Sequence, residues 1–296
     1  MERIGKYVIH KAAVTTGYAR VFLCHDPDLQ VPVAVKAFTV RAGESGPLSP
    51  AQWLQRFQAE ARALAAFDHP HVVGIKSMEQ VDGHPFFVMP YQAAHLAYEI
   101  GKDVAVEGQG ALDKPRKLPL ARAVTLMRQL SAGLMALHRR GMVHRAVKPS
   151  NILLTSRDNG QVKLADFSMV KLPERNAPLP DYWLGSTEYC APEQRENASA
   201  VGPEADVYSL GVLTYRMLTG ALPDLTTGAV ELPAGHPQVL VSLVAQATDP
   251  DPARRPAHAG TVLQALAQVP LETAPKAKPE VVAVKRPVIR QLNPVG

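Results

Sequence analysis

At 296 residues, 46% of them hydrophobic and 20% charged, the chain suits one large domain or two lobes sharing a cleft. A formal charge of +5 comes without a basic stripe interleaved with aromatics, which argues against nucleic acid as a partner. Two cysteines, Cys24 and Cys190, are too few for a disulfide framework. No run approaches the roughly 20 apolar residues of a membrane-spanning helix, and the opening MERIGKYVIH lacks a signal-sequence core, so a cytoplasmic protein is expected.

In chain order, residues 7–23 alternate β-forming with turn residues and predict a strand hairpin. Val33 to Lys36 reads as a further strand that ends on a lysine. Ser49 and Pro50 make a cap and first turn for a helix reaching about Phe67. Its buried stripe is Trp53, Leu54, Phe57, Ala61 and Leu64, and Glu60 lies within it. FFVMPY, residues 86–91, predicts a buried strand whose Pro90 has no N–H to offer. Residues 93–118 predict a short helix and a surface loop. The basic residues Lys114, Arg116 and Lys117 read there as a solvated surface, with a docking patch as the alternative. From Leu120 the apolar positions Val124, Met127, Leu130, Leu134 and Leu137 predict a long helix closed by Gly141.

The most informative stretch follows, HRAVKPSNILL at residues 144–154. His144, Arg145, Lys148 and Asn151 precede an apolar β-type run, Ile152 to Leu154. Further on stand Asp166-Phe167-Ser168, then GSTEYCAPE at 185–193, DVYSLG at 206–211 and DPARRP at 251–256. Together these resemble the eukaryotic-type protein kinases, in wording those of bacterial serine/threonine kinases. The resemblance runs from about Tyr7 to Ala267. It implies an α+β bilobal fold, with a small β-rich N-lobe carrying one main helix and a larger, mostly helical C-lobe. The expected domain is 1–268, divided near residue 90, followed by a flexible, basic, proline-containing tail at 269–296.

The resemblance also assigns roles. Lys36 would contact nucleotide phosphates and pair with Glu60, while Asp166 and Asn151 would hold Mg²⁺. Val21, Ala34, Met89 and Tyr91 would belong to the nucleotide site, Met89 at the gatekeeper position and Tyr91 in the hinge, with backbone near Gln92 left to contact the adenine. Asp206 would support the catalytic loop and Arg255 would pair with Glu193. Two departures stand out. The hairpin that should cover the phosphates has Val14, Thr16 and Ala19 where glycines belong, with Gly17 off-register, so its backbone should be held away from them. Ala146, beside Lys148, replaces the aspartate that accepts the substrate proton. Arg145 pairs with a phosphorylated loop in many family members, yet no Ser or Thr lies between Ser168 and Ser186, and the only hydroxyl there is on Tyr182. The expectation is a pseudokinase, a signalling scaffold or regulator binding Mg-ATP weakly or not at all. The alternative is a weakly active serine/threonine kinase. Either way a protein is the expected partner or substrate.

Overall fold

A computed structural model describes residues 2–40, 48–104, 110–173, 187–226 and 230–270. The tail expected at 269–296 begins later, because Val269 is buried in the core and its carbonyl accepts from Arg128. The tail from residue 271 onward, and the loop around Tyr182, lie outside the described residues. A twisted antiparallel sheet forms the N-lobe from β1 (Arg3–Ile4), β2 (Tyr7–Thr15), β3 (Ala19–Asp26), β4 (Val31–Phe38), β5 (Ser77–Val81) and β6 (His84–Pro90). Their order is β1-β2-β3-β4-β6-β5. The hairpin expected at residues 7–23 is β2 with β3. Alternation sorts the two faces. Tyr7, Phe22, Cys24, Val33, Val35, Phe86 and Val88 close one apolar cluster on the outer side. In register on the other face are Val14 with Val21, Val21 with Lys36, and Ala34 with Met89.

Helix α1 (Pro50–Ala65) packs on that second face, with Phe57 against Phe87 at 5.0 Å between ring centroids. Ser49 and Gln52 close a reciprocal capping box, the Ser49 hydroxyl accepting from the Gln52 N–H and the Gln52 side chain from the Ser49 N–H. The helix stops at Ala65, short of the expected Phe67. Leu54 is only half-buried, and buried Arg56 was not part of the expected stripe.

The C-lobe begins with β7 (Ala94–His95) and α2 (Leu96–Ile100), the short helix expected within 93–118. Of the basic residues there, Lys114 and Lys117 are exposed as expected, but Arg116 is not free. The Arg116 guanidinium donates to the carbonyls of Glu99, Ala111 and Leu112, so it staples its own loop. Helix α3 (Leu120–His138) buries all five of its expected core positions. It ends before Gly141, where a φ of 68° turns the chain, a conformation suited to glycine. Strands β8 (Ile152–Leu154) and β9 (Val162–Leu164) follow, then α4 (Pro192–Glu196), α5 (Glu204–Thr219), α6 (Gln238–Ala247) and α7 (Ala259–Ala267). At Gly211 of α5 an added Cβ would come within 2.8 Å of Ala247 and Thr248, so only glycine allows α6 this close.

Two buried polar contacts fix this lobe. Arg255 grips Glu193 through both guanidinium ends, at 2.6 and 2.9 Å. Asp206, fully buried at the start of α5, accepts from the His144 N–H and the Arg145 N–H, each at 2.8 Å, and lies 2.8 Å from His138 Nε2. Burial alone would raise its pKa, but these donors outweigh burial and hold the carboxyl below the usual range.

Removing the Arg255 side chain leaves Glu193 without its partner, and breaking such a pair costs about 3 kcal/mol where it is largely buried. Arg255→Ala should therefore lower the urea midpoint without changing the denaturant slope. A midpoint equal to wild type would show that the contact is only a surface pairing.

His144 is completely buried, and burial lowers its pKa despite the nearby Asp206 and Asp166 carboxylates. The native ring stays neutral, whereas the unfolded ring takes up a proton near pH 6.5. Its contribution is therefore present above about pH 6.5 and is lost as pH falls below it. Burial lowers His69, His71 and His95 as well, which adds in the same direction. The melting temperature should fall steadily between about pH 7 and pH 5. His144→Asn should flatten that slope; an unaltered slope would assign the titration to the other three.

Candidate active site

The cleft between the lobes gathers residues far apart in sequence. Lys36, on the cleft face of β4, meets Glu60 of α1 with Nζ 2.7 Å from Oε1 and 2.8 Å from Oε2. Both side chains are almost wholly buried. Asp166 lies 3.6 Å from the same Nζ. Burial opposes the charge on Lys36, but Glu60, with Asp166, outweighs it and raises the lysine pKa. Burial pushes the Glu60 carboxyl up while Lys36 pulls it back, and the two-pronged geometry is that of an ammonium held by a carboxylate. For Asp166 burial again acts upward, yet Lys36 and the Ser168 side chain overcome it, so this carboxyl stays ionised to lower pH than usual.

Asp166 is held at φ 63°, a left-handed conformation rare for a residue with a Cβ. Its neighbours determine that geometry. Phe167 is buried edge-on to His144 and Phe67, at 5.4 and 6.0 Å. The Arg56 guanidinium, one helical turn before Glu60, donates to the carbonyl of Ser168 at 2.8 Å and to that of Val170. The glutamate that holds Lys36 and the arginine that holds the Asp166 segment thus project from one helix. Arg56 carried no readable signal in sequence, because a helical arginine is ordinarily solvated.

The loop at 144–151 retains its form around Ala146. The Ala146 N–H faces His144 Nδ1 at 3.3 Å, and its carbonyl accepts from Asn151 Nδ2 at 2.9 Å. That bond fixes the Asn151 amide so that Oδ1 is its remaining ligand atom. An ionised carboxylate and an oriented amide oxygen fit Mg²⁺, which takes one or two protein oxygens and completes its shell with phosphates and water. The residues present therefore suit Mg-nucleotide at this end of the cleft. Lys148 is half-buried and close enough to Asp166 to help hold it ionised. The side chain at residue 146 is a methyl group, which can accept no proton.

The remaining site residues are dispersed along the sheet. Val21, Ala34 and Met89 share the face that bears Lys36, and Tyr91 follows β6 with 41% of its surface exposed. Val14 is exposed, as are Thr16 and Gly17. Thr16 closes its own turn: its N–H donates to the Ala19 carbonyl at 2.8 Å, and its hydroxyl lies 3.1 Å from the Ala19 N–H as acceptor. That N–H is consumed within the turn rather than directed at a phosphate. Tyr18, which the sequence did not single out, turns inward and is buried.

The Arg145 guanidinium is buried, and none of its three nitrogens has a hydrogen-bond partner among the described residues. Burial, reinforced by Arg56, lowers its pKa to about 10. Its backbone is well held, the N–H by Asp206 and the carbonyl by Gln194 Nε2 at 3.0 Å.

Comparison with known proteins agrees with this geometry. Residues 15–266 match the protein kinase domain. The chain is 33% identical over 283 residues to serine/threonine-protein kinase PknL of Mycobacterium tuberculosis, an alignment covering 89% of this chain and 66% of PknL. It is 31% identical over 287 residues to serine/threonine-protein kinase pkn2 of Myxococcus xanthus, covering 89% of this chain but 32% of that protein. With PknA of Mycobacterium tuberculosis it shares 32% identity over 239 residues, 78% of this chain and 51% of PknA. The chain thus spans under two thirds of the length of these relatives. No helix among the described residues is long and apolar enough to cross a membrane. With the protein kinase domain matched over most of its length and relatives above 30% identity, this chain belongs to the protein kinase family.

Proposed function

We propose that this chain is a catalytically impaired member of the family, a cytoplasmic pseudokinase that binds Mg-nucleotide weakly and acts by engaging a protein partner. The observation that carries this reading is Ala146 in a loop otherwise fully braced. Asp206 holds the backbone before it and Asn151 holds its carbonyl, so the loop keeps its form while lacking an acceptor for the substrate proton. Losing a general base removes about 10²- to 10⁴-fold in rate. The Thr16 turn adds a second defect by using the Ala19 N–H internally. The assembled Lys36, Glu60 and Asp166 favour a second reading, a slow serine/threonine kinase, since phosphoryl transfer depends mainly on positioning and electrostatics.

The two readings separate in one experiment, a Mg-ATP thermal-shift titration beside steady-state phosphotransfer to a generic protein acceptor. Wild type should show a small shift and turnover far below the about 1–100 s⁻¹ of ordinary kinases. Turnover in that range would overturn the pseudokinase reading. Lys36→Met should reduce the shift, and an unchanged shift would remove Lys36 from the nucleotide site. Ala146→Asp alone should leave turnover slow. A gain of about 10²-fold or more from that single change would make the missing base the dominant defect and the β2–β3 turn a minor one.

A further inference from the structure

At the tip of the turn joining β2 to β3, Thr16 and Gly17 are exposed while the next residue, Tyr18, is 6% exposed. Only the ring turns inward. It stacks on Trp53 of α1, with centroids 4.4 Å apart and planes 3° from parallel. Lys36 Nζ lies 5.5 Å from the centre of the same ring. The phenol hydroxyl is buried without a hydrogen-bond partner, in an environment made by Lys36, Glu60, Asp166 and Ser168. The backbone is fastened on both sides, by the Thr16–Ala19 turn and by the Thr39 N–H donating to the Tyr18 carbonyl at 2.9 Å.

We propose that Tyr18 is a self-occluding plug of the phosphate site, and that a nucleotide's phosphate chain enters only when the ring leaves its seat on Trp53. This rests on the reading of Lys36 and Asp166 as the nucleotide and metal ligands. On that reading the phosphates approach Lys36 and Asp166 from beneath the turn, and the ring lies beneath the turn with its centre 5.5 Å from Lys36 Nζ. The plug is a poor permanent occupant. Its hydroxyl is desolvated and unpaired beside three charged groups, an arrangement that disfavours the closed state. A phosphate–Mg²⁺ unit would instead supply an anion to Lys36 and a cation to Asp166. Binding is therefore taxed by the fraction of time the lid is open: a lid open about one tenth of the time weakens apparent affinity about tenfold.

The test is an anisotropy titration of the full chain with Mg²⁺ and a fluorescent ADP analogue. Tyr18→Ala should bind about tenfold more tightly than wild type, whereas Tyr18→Phe, which keeps the ring, should stay weak. Equal or weaker binding by Tyr18→Ala, with binding abolished in Lys36→Met, overturns the plug alone. Absence of binding in every variant overturns the nucleotide reading and the plug with it. Should Tyr18→Ala fail to fold, Trp53 supplies the second readout. The chain has two tryptophans, so in a Trp183→Phe background the emission reports the stack. Saturating Mg-ADP should alter that emission as the ring departs. Unaltered emission with nucleotide bound overturns the proposal, as does failure of that protein to bind nucleotide.

Discussion

An ammonium and a carboxylate, contributed by β4 and α1, meet at 2.7 Å where water is almost excluded. Neither charge is tolerable there alone, since an unpaired ion in such a place costs several kcal/mol. The pair therefore ties the position of α1 to the sheet. Because Arg56 projects from the same helix onto the Ser168 and Val170 carbonyls, it ties the Asp166 segment to the same body. The sheet, α1 and the Asp166 segment thus share one electrostatic anchor, and the Tyr18–Trp53 stack joins the β2–β3 turn to it.

That anchor supports a site whose two ends differ. At one end, Lys36 and the Ser168 side chain favour the ionised Asp166 carboxyl, and the Ala146 carbonyl holds the Asn151 amide. At the other, Thr16 closes the turn on itself and Tyr18 is buried. The loop between them is braced by Asp206 around Ala146, whose methyl side chain can neither accept nor donate a proton. The packing of this loop does not depend on the side chain at residue 146. Its form comes from backbone contacts to Asp206 and Asn151, whereas proton transfer depends on side-chain atoms.

Much of the fold was legible because it depends on local or strongly patterned signals. The Ser49 cap and Pro50 adjoin the helix they open, and the α3 stripe repeats at helical spacing. The Arg255–Glu193 and Lys36–Glu60 pairs were also anticipated, through resemblance rather than spacing, since no local rule joins residues so far apart. The basic residues at 114–117 were harder, because a surface arginine and one that staples a loop look alike until its carbonyl partners are known.

What the sequence alone determined is the kinase frame, an alanine at residue 146 and the absence of glycine at residues 14, 16 and 19, all properties of side-chain identity at fixed places. What only the tertiary structure decided is where ambivalent side chains go. Tyr18 could have faced solvent from its turn, and Arg56 could have left its helix for water. Each is buried instead because a distant segment supplies its partner, Trp53 for the ring and the backbone after Asp166 for the guanidinium. An amphipathic side chain follows the surface offered to it, and that surface exists only once remote parts of the chain have packed together.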